Sequence, residues 1–205
     1  MENLSAVTEF TRVYLALFFS FVACFYTTRI ILMKKSSQRE IVFSGEVLCS
    51  TWWNHMAFRC FRFAIWMVCV FRVFFPLIDH YLGLIPVLNI TPVILLGNLM
   101  LTAGFLFTLL VHFSMRGSWR SGIDPSGPDG LISTGFYKYS RNPMFLSVAV
   151  AQVGFFLVLP SAFSLLCLVI GLCALGRQVA AEECHLAEMF PAEYAAYAAR
   201  VRRWL

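Results

Sequence analysis

From Met144 to Leu175 the chain carries no Asp, Glu, Lys or Arg, and the same is true from Val93 to Phe113. Apolar stretches this long constrain a chain more than any other feature. Water does not solvate them, and in lipid every backbone N–H and C=O must find its partner inside the protein, a demand that helices meet locally. The rest of the composition agrees. Hydrophobic residues make up 60% of the chain and charged residues 13%, the latter about half the share usual in soluble domains. These figures exclude a disordered chain, a collagen-like chain and an ordinary water-soluble enzyme. They predict an all-α fold: an integral membrane helical bundle forming a single domain over residues 1–205.

Five transmembrane helices are expected, followed by an amphipathic C-terminal helix. The first apolar run is Val13 to Met33, with Arg29 near its end. Glu2 and Glu9 precede it where a cleaved leader would be basic, so the run reads as a retained helix. The second is Ala57 to Ile78. Arg59 and Arg62 at its start can snorkel, whereas Arg72 lies deeper and calls for a partner such as Asp79. Pro92 suits the start of the third run, Val93 to Phe113. Within that run Gly97, Asn98, Thr102, Ala103 and Gly104 give a small, polar face fit for close helix packing. Pro160 divides the last stretch into a hairpin, Met144–Leu159 and Ser161–Gly176. Each arm is about 24 Å long against a hydrocarbon core of ~30 Å.

With the N-terminus outside, the segments 34–56, 114–143 and 177–205 all fall inside. Of 16 basic residues only Arg12 and Arg72 then lie away from an inside segment, which predicts an N-out/C-in multi-pass protein. A bacterial inner membrane, or the endoplasmic reticulum of a eukaryote, suits such a chain. The net charge of +5 is accounted for by that asymmetry, and no pattern for binding nucleic acid is present. Seven cysteines, none in a C-x-x-C, read as small buried hydrophobes rather than as disulfides or a metal site.

Two segments are not mere connectors. Residues 1–113 hold the first three spans; residues 114–205 hold both segments and the hairpin between them. Ser114 to Pro143 is far longer than an ordinary loop. It mixes five glycines, Pro125 and Pro128 with Arg116, Trp119, Arg120, Asp124, Asp129, Tyr137, Lys138, Tyr139 and Arg141, the composition of a folded pocket wall. No G-x-G-x-x-G or P-loop occurs. From Arg177 a second segment reads as a helix over Gln178 to about Met189, a turn at Phe190-Pro191 and a short helix to Arg200. Helical spacing puts Gln178, Glu182, His185 and Met189 on one face and Glu183, Leu186, Ala187 and Phe190 on another. One of the paired glutamates must then sit near the apolar side, where a carboxylate needs a partner or a ligand. His112, at the inner end of the third span, is either a pocket residue or a satisfied interfacial histidine.

Thr134-Gly135-Phe136-Tyr137-Lys138-Tyr139-Ser140-Arg141-Asn142-Pro143-Met144-Phe145 resembles the T-x-G-x-Y-x-x-x-R-H/N-P-x-Y segment of membrane methyltransferases. Glu182-Glu183-Cys184-His185-Leu186 with Phe190-Pro191-Ala192-Glu193-Tyr194-Ala195-Ala196-Tyr197 resembles their E-E-x-x-L-x-x-x-F-G-x-x-Y-x-x-Y segment. On these motifs the chain is similar to the isoprenylcysteine carboxyl methyltransferase superfamily, which includes phospholipid N-methyltransferases. The resemblance implies an S-adenosyl-L-methionine-dependent transferase acting on a lipid-like or prenylated acceptor that enters from the bilayer. It implies a cofactor pocket of Asp129, Gly130, Leu131, Ile132, Tyr137, Asn142, Pro143, Met144, Phe145 and Glu182. Arg141 and Arg177 would be catalytic, and Gln178 and Glu183 would face the acceptor. Asn142 stands where many relatives have His, and the sequence departs from the pattern at Phe145, Ser147 and Pro191. It also carries Gln178, four residues before Glu182, where isoprenylcysteine enzymes have an arginine for the acceptor carboxylate; Arg177 is one residue off.

These residue types suit methyl transfer from a sulfonium, an in-line displacement that needs alignment and a dry site more than a strong base. An arginine can hold a carboxylate or phosphate at two points. Acceptor oxygens and the faces of Tyr137 and Phe145 suit a cation. The alternatives are a phospholipid N-methyltransferase, an NADPH-dependent membrane reductase, and a non-catalytic membrane protein, whose inverted halves are not visible here.

Overall fold

The computed structural model describes residues 2–37, 40–115, 119–128 and 130–205. Its α-helices are α1 (Glu2–Ser37), α2 (Ser50–Phe74), α3 (Thr91–Ser114), α4 (Pro143–Val158), α5 (Ala162–Met189) and α6 (Pro191–Arg200). Strands β1 (Val42–Phe43) and β2 (Ser121–Gly122) and 3-10 turns at Pro76–Leu82 and Gly135–Lys138 link them. The protein is an all-α membrane bundle. Helices α1 (over Leu4–Ser36), α3 and α5 are long and apolar enough to cross a membrane. Helices α2 and α4 run beside them. Leu17, Phe21, Leu99, Leu106, Leu110 and Leu166 are exposed on the outer faces, a surface suited to lipid.

Helix limits follow local chemistry. Pro76 stops α2, and prolines occupy the first turns of α3, α4 and α6, where a missing N–H costs nothing. Pro160 breaks the last apolar stretch where the sequence places the break. Ser161 then caps α5, accepting from Ser164 N at 3.2 Å while Ser161 N donates to Ser164 Oγ. The second hairpin arm does not end at Gly176, as the sequence reading had it. It runs on to Met189 as one helix. Gly176 is a weak breaker, costing about 1 kcal/mol, and the following Arg, Gln, Ala and Glu residues favour continuation.

Both ends of the bundle are fastened. At one end β1 and β2 pair in parallel, Val42 with Ser121 and Phe43 with Gly122, and Arg177 Nη2 donates to Ser50 Oγ at 2.8 Å. At the other, Ala162 N donates to Gly83 O and Ile85 N to Pro160 O, both at 2.8 Å. Here Arg72 Nε meets Asp79 Oδ1 at 2.6 Å and Arg12 Nη2 meets Asp79 Oδ2 at 2.7 Å. The deep Arg72 thus has the partner expected of it, and Arg12 joins them.

Between the ends the helices interlock through a mainly apolar core that includes Leu15, Cys69, Leu101, Phe155, Val158 and Cys167. Phe18 meets Phe105 and Phe19 meets Phe155 edge to face. Along α3 and α4 the backbones touch. A Cβ added at Gly97 would lie 2.5 Å from Val158 N, one at Gly104 2.7 Å from Ala151 N, and one at Gly154 would strike Leu101 N. The small face read from the sequence is shared: Gly97 and Gly104 serve α4, whereas Thr102 and Asn98 hydrogen-bond Tyr14 and Thr11 of α1. All seven cysteines are unbridged, and no metal-ligating cluster occurs among the described residues.

Two outcomes are expected. Gly97→Ala forces α3 from α4 and lowers the thermal midpoint in detergent, overpacking of this kind costing about 1–3 kcal/mol. Burial alone would raise the Asp79 pKa, but the hydrogen bonds and charges of Arg72 and Arg12 outweigh it and hold the carboxyl below its ordinary value. The stabilisation is therefore present at neutral pH and fades as pH falls through that depressed value. Asp79→Asn leaves Arg72 buried without its counter-charge, at a cost of about 3–5 kcal/mol. Midpoints measured against pH should show the wild-type advantage vanish in acid.

Candidate active site

A cavity of about 160 Å³ opens at the end of the bundle that holds the β-ladder, between the segment after α3 and the ends of α5 and α6. Local turns build its outer wall. Asp124 Oδ1 accepts from Ser126 N at 3.0 Å and from Ser126 Oγ at 2.6 Å, closing a turn that Gly127, at φ +73°, completes against Met189. Arg120 pairs with Asp124 at 3.8 Å. Gly122, at φ +91°, has no room for a Cβ beside Phe43 O, so the ladder that supports this wall requires glycine there.

The 3-10 turn Gly135–Lys138 aims Tyr137 inward. Its hydroxyl donates to Met115 Sδ at 3.4 Å, and its carbonyl accepts from Tyr197 OH at 2.8 Å. Burial, reinforced by the Glu182 carboxylate, pushes the Tyr137 phenol above its ordinary pKa, so it stays a neutral donor. Burial also raises Tyr197, to about 12.

Glu182 and Glu183 leave α5 side by side, and both reach the cavity. Glu182 accepts from Gln178 Nε2 at 3.0 Å, and no ion pair to it occurs among the described residues. Glu183 is heavily engaged. Asn142 Nδ2 donates to Oε1 at 2.8 Å, Arg203 donates to Oε2 from Nε at 3.1 Å and Nη2 at 2.8 Å, and Arg141 Nε stands 3.6 Å from Oε1. Arg141 also lies over the Tyr194 ring, 6.0 Å from its centroid. Arg141 Nε, His185 Nε2 and Tyr194 OH are buried without a hydrogen-bond partner among the described residues, and all three residues line the cavity.

Of the residues singled out from sequence, Gly130, Leu131, Ile132, Tyr137, Arg141, Asn142, Met144, Phe145, Glu182 and Glu183 share this cavity. Asp129 lies outside the described residues. Pro143 is buried in the first turn of α4, off the cavity wall. Gln178 is buried and acts on the cavity through Glu182. Arg177 is exposed, turned to Ser50 on α2. His112 is fully buried off the wall, accepting from Arg29 Nε at 3.4 Å. Sequence reasoning did not single out Met115 or Arg203; Arg120 and Asp124 entered it only as part of the pocket wall, and His185, Tyr194 and Tyr197 only within a helix face or the second motif. The three-residue spacing of Tyr194 and Tyr197 on α6 is a signal for that pair; nothing in the sequence marks Arg203.

Fold and cavity define a lipid-embedded helical protein with a charged, aromatic-lined site at one end of its bundle. The phospholipid methyltransferase family pattern matches residues 92–193, from the start of α3 into α6, and the chain belongs to that family of membrane methyltransferases. No curated protein and no solved structure matches it.

Tyr197→Phe removes one buried hydrogen bond, worth about 1 kcal/mol. The thermal midpoint should fall by about 2–4 °C in a chain of this size; an unchanged midpoint would show that the Tyr197–Tyr137 contact does not support the wall.

Proposed function

We propose that the chain transfers a methyl group from S-adenosyl-L-methionine to an amphiphilic acceptor that reaches the cavity from the lipid phase, with the cavity end of the bundle facing the cytosol. One observation carries this reading: the two motif segments, separated in sequence by the α4–α5 hairpin, line one cavity with Arg141, Asn142, Glu182 and Glu183. The N-out/C-in orientation is supported by Lys34, Lys35, Arg177, Arg200 and Arg203, which lie at that end.

The donor set fits the cofactor. Buried, unpartnered Arg141 Nε and Tyr194 OH are donors suited to an amino-acid carboxylate. Glu182, with one hydrogen bond and no ion pair among the described residues, suits ribose hydroxyls or an ammonium group. A Cβ at Gly130 would meet nothing within 4 Å, so the wall there stays open. When bound, the cofactor supplies a methyl group on a sulfonium, open to in-line displacement. The protein's part is to orient and to exclude water. Arg141 holds an oxyanion, Glu182 accepts hydrogen bonds, Tyr137 remains an uncharged donor, and the rings of Phe145 and Tyr194 offer faces to a cation.

For the acceptor, the geometry favours an amine-bearing amphiphile such as a phospholipid headgroup over a prenylcysteine carboxylate. The Gln178 amide is committed to Glu182, and Arg177 is turned away to Ser50. Neither serves a carboxylate in the cavity.

Calorimetry of the detergent-solubilised protein should show S-adenosylhomocysteine binding that Arg141→Ala and Glu182→Gln each weaken. Loss of a hydrogen bond to a charged group, about 1.5–3 kcal/mol, corresponds to a factor of about 10–150. Labelled methyl should pass to dioleoylphosphatidylethanolamine in mixed micelles in preference to N-acetyl-S-farnesylcysteine. Tight NADPH binding with no S-adenosylhomocysteine binding would overturn the reading in favour of a reductase.

A further inference from the structure

Glu183 faces three donors and serves them unequally. Arg203 takes Oε2 with Nε and Nη2, at 3.1 and 2.8 Å, and Asn142 Nδ2 takes Oε1 at 2.8 Å. Arg141 Nε is left at 3.6 Å from Oε1, within reach of the charge but beyond a hydrogen bond. It is buried and has no hydrogen-bond partner among the described residues. That is a costly state for a guanidinium N–H, so something must hold it back from the carboxylate.

The C-terminal tail supplies the restraint. Arg202 O accepts from Arg141 N at 3.0 Å, and Arg203 O accepts from Asn142 Nδ2 at 3.2 Å and Ser140 Oγ at 3.3 Å. The tail backbone is thus fixed to the segment whose side chains compete for Glu183, and this places the Arg203 fork on Oε2. With that oxygen vacated, the nearest guanidinium, Arg141, would close on Glu183 in a two-point pair.

We propose that Arg203 is a positioning residue: by saturating Glu183 from the C-terminal tail, it withholds that carboxylate from Arg141 and keeps the Arg141 guanidinium available to an oxyanion, carboxylate or phosphate, entering the cavity. The oxyanion's role rests on the methyltransferase reading. The competition between two arginines for one glutamate does not.

The test is phenylglyoxal labelling of Arg141 in the purified full-length protein, followed by peptide mass spectrometry without any ligand. Arg203→Ala should slow Arg141 labelling by about tenfold, the factor for about 1.4 kcal/mol of new pairing. Arg203→Lys, which keeps a cation on Glu183, should label close to wild type. Adding Glu183→Gln to Arg203→Ala should restore labelling, because no carboxylate remains to capture Arg141. A purely structural tail predicts the opposite order, with the double variant no better than the single. Unchanged labelling in Arg203→Ala, or no recovery in the double variant, would overturn the proposal. If Arg203→Ala does not fold, labelling of all arginines rises together, and Arg203→Gln then decides by the same criteria. Calorimetry separates the sources of the oxyanion. Weaker S-adenosylhomocysteine binding in Arg203→Ala assigns it to the donor's carboxylate; unchanged binding with a raised KM for dioleoylphosphatidylethanolamine assigns it to the acceptor's phosphate. A wild-type protein that binds no S-adenosylhomocysteine sinks the methyltransferase reading alone, since the labelling result stands without it.

Discussion

The contact between the backbones of α3 and α4 sets the positions of almost everything else. In lipid the hydrophobic effect gives helices little reason to associate, so close van der Waals packing between small residues takes its place. Gly97, Gly104 and Gly154 let the two helices meet with no side chain between them, and Thr108 and Ser147 hydrogen-bond across the seam at 2.8 Å toward the cavity end. This seam ties Met115, just past the end of α3, to Asn142, Met144 and Phe145 around the start of α4. All four line the cavity. The long segment between the two helices is therefore spanned by a rigid pair, which is how so irregular a stretch comes to form a wall.

Each end of the bundle carries two arginines around one carboxylate, and burial separates their uses. At the ladder-free end Arg72 and Arg12 both reach Asp79, with Arg72 almost wholly buried. That cluster joins α1, α2 and the turn after α2. At the cavity end Arg141 and Arg203 share Glu183, but Arg203 is half exposed and Arg141 faces the cavity. The same stoichiometry that locks one end leaves a cation to spare at the other. An excess cation beside a cavity can receive an anionic group, the role proposed for Arg141; an excess cation inside a helix joint is an element of stability.

What the sequence reveals follows from what is periodic or local. Apolar runs mark α1, α3 and α5 as helices able to cross a membrane, and Pro160 marks the hairpin turn, because lipid solvation and a missing N–H act residue by residue. The motif segments point to Arg141, Asn142 and Glu182 as a group. The continuation of α5 to Met189 escapes a sequence reading because Gly176 and a change from apolar to polar composition imitate a boundary, although helix propensity does not change there. The orientation of Arg177 escapes it for another reason: its contact is with Ser50, more than a hundred residues away. Arg203 is likewise invisible, since its role depends on the tail returning across Ser140, Arg141 and Asn142.

Gln178 shows how one side chain can shift chemistry without entering the site. Its amide lies one helical turn before Glu182 and donates to it at 3.0 Å. An arginine in that position would neutralise Glu182 or reach past it toward an anionic acceptor. The amide does neither. It orients the carboxyl group without pairing it with a cation, so the cavity keeps an unpaired acid at Glu182 beside the Arg141 cation. An unpaired acid beside a cation is the wall that the proposed zwitterionic donor and amine headgroup would meet.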